Sequence, residues 1–286
     1  MILPDFILQS RANKIWNYSG MDNRSECSDK KHFDNYPYLV EYRYNSRGFR
    51  DAEWPEIAEL VNSIWCVGDS FTVGLGSPYN HSWPHILKSV SKKNTINVSM
   101  DGASNDWIAR KTLRIIDAVS PKNIVIQWSF FSRLESTVAT LSDEDRRKQF
   151  DYNELALRQK FDNFKKNFLS IESAKLKTKT NIIHSFVPNA SSLVNVKNIW
   201  DIYKGANWPE HPSETRKDLH SLESFIINEL VTVDQFEHIK IYSEYCELLS
   251  NANIINYTQI DWARDAFHYD IKTATKIVDE ILPLLE

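Results

Sequence analysis

Four short apolar runs, each closed by a turn residue, set the rhythm of this chain. They fall at residues 64–67, 95–100, 123–128 and 181–187. Each is too short for a helix and rich in β-branched and aromatic types, which reads as a strand. Among these strands, residues 123–128 are nearly continuous in apolar residues, as expected where both sheet faces are covered. Helical patterns separate them. One begins after Trp83-Pro84 and carries Ile86, Leu87 and Val90. A second, capped by Ser104 or Asn105, carries Ile108, Leu113, Ile116 and Val119 and stops at Pro121. Residues 141–180 are highly charged, with Leu155, Phe161, Phe164 and Phe168 at helical spacing, the pattern of an amphipathic surface helix. A helix is expected over 219–235, then a short apolar segment at 239–242 and a polar stretch. An amphipathic helix over 271–285 closes the pattern. Strand alternating with helix predicts an α/β fold with a mainly parallel sheet.

Residues 1–61 lack this periodicity and predict an N-terminal extension packed on a main domain of residues 62–286. Within the extension, residues 42–50 suggest extended segments around an Asn45-Ser46-Arg47-Gly48 turn. The neighbouring arginines Arg43, Arg47 and Arg50 either meet an anionic ligand or pair with surface carboxylates, and the second is preferred. Residues 189–218, with Trp200, Tyr203, Trp208 and two prolines, predict an ordered excursion or lid.

Composition narrows the field. At 286 residues and 42% hydrophobic, the chain has material for a sizeable core. A net charge of −4 with no basic block argues against nucleic acid as a partner. Cys27, Cys66 and Cys246 are odd in number and widely spaced, so neither a disulfide framework nor a Cys-x-x-Cys metal site is expected. The first residues lack a basic region and a long apolar core, and no later run is long enough to span a membrane. The expectation is a soluble, cytoplasmic protein.

The candidate chemistry gathers where the strands end. Gly68 breaks the first strand, and Ser70 follows in the turn, where a serine hydroxyl projects away from the sheet. That is the layout of a nucleophile elbow, although Gly, Asp and Ser also make ordinary turns. Ser70, Gly102, Asn105 and Ser129 all lie just past predicted strand ends, the rim where parallel sheets bind ligands. Serine needs a base, usually a histidine oriented by a carboxylate. Asp265-Ala266-Phe267-His268 offers both, just before the last helix. The spacing suits Asp265 holding Nδ1–H while Nε2 faces Ser70; a capping, solvated Asp and His is the alternative.

Taken together, Gly68-Asp69-Ser70-Phe71, Gly102 in Asn97-Val98-Ser99-Met100-Asp101-Gly102, and Asp265-Ala266-Phe267-His268 resemble the blocks of the SGNH (GDSL-type) hydrolases. Phe71 stands where leucine is usual. The resemblance covers about residues 62–286 and implies a three-layer α/β/α sandwich of flavodoxin-like type with a central, mainly parallel sheet. It implies Ser70 as nucleophile, His268 as base and Asp265 as its orienter. The N–H groups of Ser70 and Gly102 would donate to the oxyanion, and no metal or organic cofactor is required. One block departs. After the third strand the family usually has Gly-x-Asn-Asp, whose Asn is a third oxyanion donor. Here the chain reads Gln127-Trp128-Ser129-Phe130-Phe131-Ser132-Arg133. An unreplaced donor costs about 3 kcal/mol in the transition state. Asn105 is the favoured replacement, and the Ser129 hydroxyl the other. Arg133 either binds a substrate carboxylate or phosphate or pairs with Glu135.

The resulting expectation is a serine esterase for small acyl esters, O-acetyl groups on carbohydrate foremost, with Trp200, Tyr203 and Trp208 as stacking surfaces. An acyltransferase to a sugar hydroxyl and a non-catalytic glycan-binding protein are the rivals. Residues 68–76 lack the lysine of a phosphate loop and the third glycine of a dinucleotide fingerprint. His81 and His85 have helical metal-ligand spacing, but Pro84 intervenes and no Glu follows His81.

Overall fold

The computed structural model describes residues 6–131, 133–135, 142, 145, 157–188 and 235–286. In chain order the elements are β1 (Ile15–Trp16), α1 (Lys30–Asn35), β2 (Tyr42–Arg43), α2 (Ile57–Leu60), β3 (Ile64–Gly68), α3 (Ser70–Val73), α4 (Trp83–Ser91), β4 (Thr95–Ser99), α5 (Asn105–Ala118), β5 (Asn123–Trp128), α6 (Leu157–Thr178), β6 (Asn181–Phe186), α7 (Gln235–Leu249), β7 (Asn253–Ile254) and α8 (Ile271–Ile281). β3 to β7 form one sheet in the order β4-β3-β5-β6-β7, every pair parallel. With β3 as the first strand, this is the flavodoxin-like order, and its switch point lies between β3 and β5.

Strand alternation builds the three layers. Trp65 and Val67 join Ile96, Val98, Ile124, Ile126 and Ile182 in a core with Trp107, Ile108 and Ile115 of α5 and Phe161, Phe164 and Phe168 of α6. Ile64, Cys66, Val125 and Ile183 face the other way, onto Trp83 and Leu87 of α4 and Ala274, Ile277 and Val278 of α8. All residues of β3, β4, β5 and β6 are buried, polar ones such as Asn97 and His184 included. β4 is an edge strand. Asp51 covers it by accepting the Asn97 N–H at 2.8 Å, and burial pushes this carboxyl up to about 6.

Three expectations need correction. β7 falls in the stretch read as polar; two residues are too few to show a period. Residues 239–242 are not a separate apolar segment but part of α7. The closing helix stops at Ile281, and Pro283 turns Leu282–Leu284 into a 3₁₀ turn. Residues 219–234 and the excursion at 189–218 lie outside the described residues. Among the described residues no helix is long and apolar enough to cross a membrane.

The N-terminal segment packs beside the loop after α3. β1 and β2 pair antiparallel, and Val40, Tyr42 and Tyr44 bury against Val73 and Leu75. Of its arginines, Arg43 pairs with a surface carboxylate as expected, whereas Arg50 does not. Arg43 meets Glu41 at the surface, and Arg47 lies over Trp54. Arg50 is fully buried and donates to the carbonyls of Gly74 (2.5 Å), Ser77 (2.8 Å) and Glu41 (3.0 Å). A guanidinium is a fork of donors, and here it ties the chain after α3 in place.

Candidate active site

The site begins at the carboxyl end of β3. A Cβ at Gly68 would sit 2.1 Å from Thr72 Oγ1 and 3.1 Å from Gln127 O, so the glycine is required by close approach. Asp69 caps α3, its Oδ1 accepting the Phe71 N–H at 3.0 Å. Ser70 is therefore the first residue of a helical turn, and its N–H has no partner within that helix. Thr72 donates to Gln127 Oε1 at 2.8 Å, and Gln127 Nε2 donates to the hydroxyls of Tyr257 and Tyr269. This buried network fastens α3 to β5.

Ser70 meets the far end of the chain. His268 Nε2 lies 2.8 Å from Ser70 Oγ, and His268 Nδ1 lies 2.5 Å from Asp265 Oδ2. The carboxylate only accepts, so Nδ1 carries the proton and, in the neutral ring, Ser70 Oγ–H donates to Nε2. Asp265 Oδ1 also accepts the N–H groups of Phe267 and His268, each at 3.0 Å. The three-residue spacing is thus a closed turn, completed by Ala263 N–H donating to His268 O at 2.7 Å. Phe71 packs 4.5 Å from the imidazole and Phe267 5.1 Å from it, ring centre to ring centre. Burial opposes charge on His268, but the Asp265 carboxylate outweighs it and raises the imidazole pKa. Burial likewise opposes charge on Asp265, and the facing His268 holds its pKa below the usual carboxylate range. The arrangement lets a buried imidazole take a serine proton while a carboxylate steadies the ring.

A second shell of contacts holds this turn from the N-terminal segment. Arg264, next to Asp265, makes a fork on Asp22 at 2.8 and 2.6 Å. The Tyr42 hydroxyl donates to Asp22 at 2.6 Å and accepts the Gly76 N–H at 2.8 Å. Arg264 N–H in turn donates to Gly76 O at 2.9 Å. Gly76 has φ +74°, and a Cβ there would meet Asp265 Cγ at 3.1 Å. His32 Nε2 donates to Ala263 O at 2.8 Å, and the Tyr36 hydroxyl to Asp270 at 2.5 Å. Sequence reasoning missed these residues. Arg264 beside Asp265 is the one local signal; its partner lies 242 positions away. Asp22→Ala leaves the guanidinium without its carboxylate, still bonded to Asn17 O, and costs about 3 kcal/mol, the low end for a buried pair because Arg264 reaches the surface. A thermal melt should show a midpoint lower by on the order of 10 °C. An unchanged midpoint means the pair holds nothing.

The other predicted rim residues come together, but not as expected. Gly102 is buried on the loop after β4. Asn105, beside the Ser104 cap, accepts the Ser129 N–H at 2.8 Å and points its amide at Ser129 O (3.3 Å) and Phe130 O (3.5 Å). Ser129 Oγ donates to Asp69 Oδ2 at 2.6 Å and accepts from Arg133 at 2.9 Å. Both expected replacement donors are thus engaged in holding the loop after β5. Arg133 does not pair with Glu135, which Arg110 takes; it pairs with Asp69 at 2.7 Å. Burial raises the Asp69 pKa, and Arg133 opposes the rise. His81 Nδ1 donates to Asp270, while His85 lies against Tyr79, so the two do not converge. Among the described residues no His, Cys, Asp and Glu side chains cluster as metal ligands. Trp200, Tyr203 and Trp208 lie outside the described residues.

No family model and no curated protein matches the sequence. Solved structures match its fold. A GDSL-like lipase from Bacteroides thetaiotaomicron is 14% identical, with 81% of this chain and 89% of that chain covered and a TM-score of 0.39. The psychrotrophic esterase EstA from Pseudoalteromonas sp. is 14% identical, with 78% and 96% covered and a TM-score of 0.40. The periplasmic domain of a lipopolysaccharide acetyltransferase from Salmonella ser. Paratyphi A is 13% identical, with 77% and 82% covered and a TM-score of 0.36. The likeness is one of fold. At these identities it concerns the path of the chain and not its chemistry.

Proposed function

We propose that this chain is a serine esterase of SGNH type, acting on small acyl esters, with O-acetyl groups on carbohydrate as the substrate class. The observation that carries the reading is the continuous hydrogen-bonded relay from Ser70 through His268 to Asp265. A binding protein has no use for a base aimed at a serine hydroxyl.

In this reading His268 takes the Ser70 proton as Oγ adds to the ester carbonyl. The N–H groups of Ser70 and Gly102 hold the resulting oxyanion. His268 then protonates the departing alcohol and, in the second half, activates the water that releases the acid. Asp265 keeps Nδ1 protonated and the ring aimed throughout.

The test is hydrolysis of p-nitrophenyl acetate, followed by treatment with a serine-directed phosphonate and peptide mass analysis. Turnover with the adduct on Ser70 is expected; a folded protein that neither turns over nor labels overturns the reading. Acetate release with and without a sugar acceptor separates hydrolysis from transfer. The pH profile is a second check. His268 acts as base only when neutral, and its pKa is raised, so the acid limb of kcat/KM should lie above the ordinary imidazole value of about 6.5. Activity falls as pH drops through that limb. A rate that climbs toward acid pH is incompatible with His268 as base.

A further inference from the structure

The mechanism above supplies two backbone donors to the oxyanion, and Asn105 and Ser129 are committed elsewhere. We propose that Arg133 is the third donor, a charged one, at the Ser70 oxyanion. The inference rests on the esterase reading and adds a residue to it.

Position comes first. Arg133 belongs to the loop after β5, the strand beside β3 at the switch point of the sheet. Its Nη1 donates to Asp69 Oδ2 at 2.7 Å and to Ser129 Oγ at 2.9 Å. Asp69 immediately precedes Ser70, and its other oxygen caps the turn that Ser70 begins. One carboxylate therefore ties the guanidinium to the first turn of α3. The guanidinium carbon lies 4.8 Å from the centre of the Phe130 ring, and Phe130 contacts both Phe71 and Phe267, the two rings that flank His268. Arg133 thus shares the aromatic wall of the imidazole.

Availability comes second. Only Nη1 of Arg133 is hydrogen-bonded among the described residues, which leaves the Nε and Nη2 hydrogens for a ligand. The side chain is 14% exposed, accessible to a substrate yet poorly screened by water. An arginine fork held at one corner is a fixed donor, and a bond from a cation to an oxyanion is about twice as strong as a neutral one.

The step balances without a further reactant. Ser70 Oγ bonds to the carbonyl carbon, its proton passes to His268 Nε2, and the C=O π pair moves onto oxygen. That O⁻ takes N–H donation from Ser70, Gly102 and Arg133. Collapse restores C=O, breaks the bond to the alcohol oxygen, and that oxygen leaves with the proton from His268.

The test compares wild type, Arg133→Gln and Arg133→Lys on a neutral ester, p-nitrophenyl acetate, and on an anionic one, mono-p-nitrophenyl succinate. Gln still donates to Asp69, so folding is checked by a thermal melt. The double variant Asp69→Asn/Arg133→Gln, which buries no lone charge, repeats the measurement. The expected result for Gln is a kcat lower by on the order of 10²-fold on both esters with KM within about twofold, and partial recovery in Lys. If only KM for the anionic ester rises, Arg133 is a substrate-carboxylate anchor and the proposal is overturned. Unchanged kinetics on both esters overturn it as well, leaving a structural ion pair. In either case a wild-type rate that Ser70→Ala removes shows that the esterase reading stands. No such rate brings down both.

Discussion

Ser70→Ala should remove ester hydrolysis while leaving the protein folded. The two halves of this expectation have separate causes. The Ser70 hydroxyl makes its hydrogen bond to His268 Nε2, so truncation costs the fold about 1–3 kcal/mol for the buried acceptor left behind. Asp69 still caps α3 through the Phe71 N–H, and the Gln127 network still fastens it from below. The reaction has no such reserve. Without Oγ no acyl-enzyme forms, and the loss should be on the order of 10⁶-fold in kcat. Matched thermal melts and long progress curves check both halves. A variant that stays folded and keeps a substantial share of the rate removes Ser70 from the mechanism.

Asp265→Asn should be nearly as severe, for a subtler reason. The Asp265 carboxylate does two jobs through two oxygens. Oδ1 closes the turn on the N–H groups of Phe267 and His268, and Oδ2 accepts the Nδ1 proton. An asparagine oxygen can still close the turn, so the backbone survives. Its amide then faces Nδ1, which becomes the acceptor and sends the ring proton to Nε2. The imidazole now presents a proton to Ser70 instead of a lone pair. A loss of on the order of 10⁴-fold in kcat is expected, with KM little changed. Removing the charge also lowers the imidazole pKa, so the residual activity should have its acid limb at lower pH than wild type. A residual rate whose limb does not move would mean that Asp265 does not set the charge of the ring.

What the sequence made readable follows from the range of each interaction. β3, β5 and β6 were legible from short apolar runs and β4 from alternation, with Ile96 and Val98 set between polar residues, each over five or six positions. β7, two residues at the far edge, has no room for such a run. The Asp265-His268 spacing was legible because the turn that joins them is local. Arg133 was not: its choice of Asp69 over Glu135 depends on how the loop after β5 lies against α3. Asn105 shows the same limit. Its residue type suits an oxyanion donor, yet its amide and carbonyl meet the backbone of Ser129 and Phe130, a pairing 24 and 25 positions away. Arg50 suggested a surface cation, and only the fold reveals the carbonyls of Gly74 and Ser77 that make its burial tolerable.

The fork from Arg264 to Asp22 joins positions 242 apart, and the bond from His268 to Ser70 spans 198. Contacts so distant along the chain carry the largest closure entropy and form late in folding. The strand and turn around Ser70 close over shorter spans, 55 positions from Thr72 to Gln127, and are expected earlier. In the proposed reading, the serine is therefore expected to be in place before its base is delivered. A partly folded chain would then hold an unactivated serine, with inertness toward esters and phosphonates the expected result. Reactivity is expected to appear when the stretch around residue 265 docks against the segment around Asp22, so that labelling of Ser70 during refolding would serve as a clock for that step.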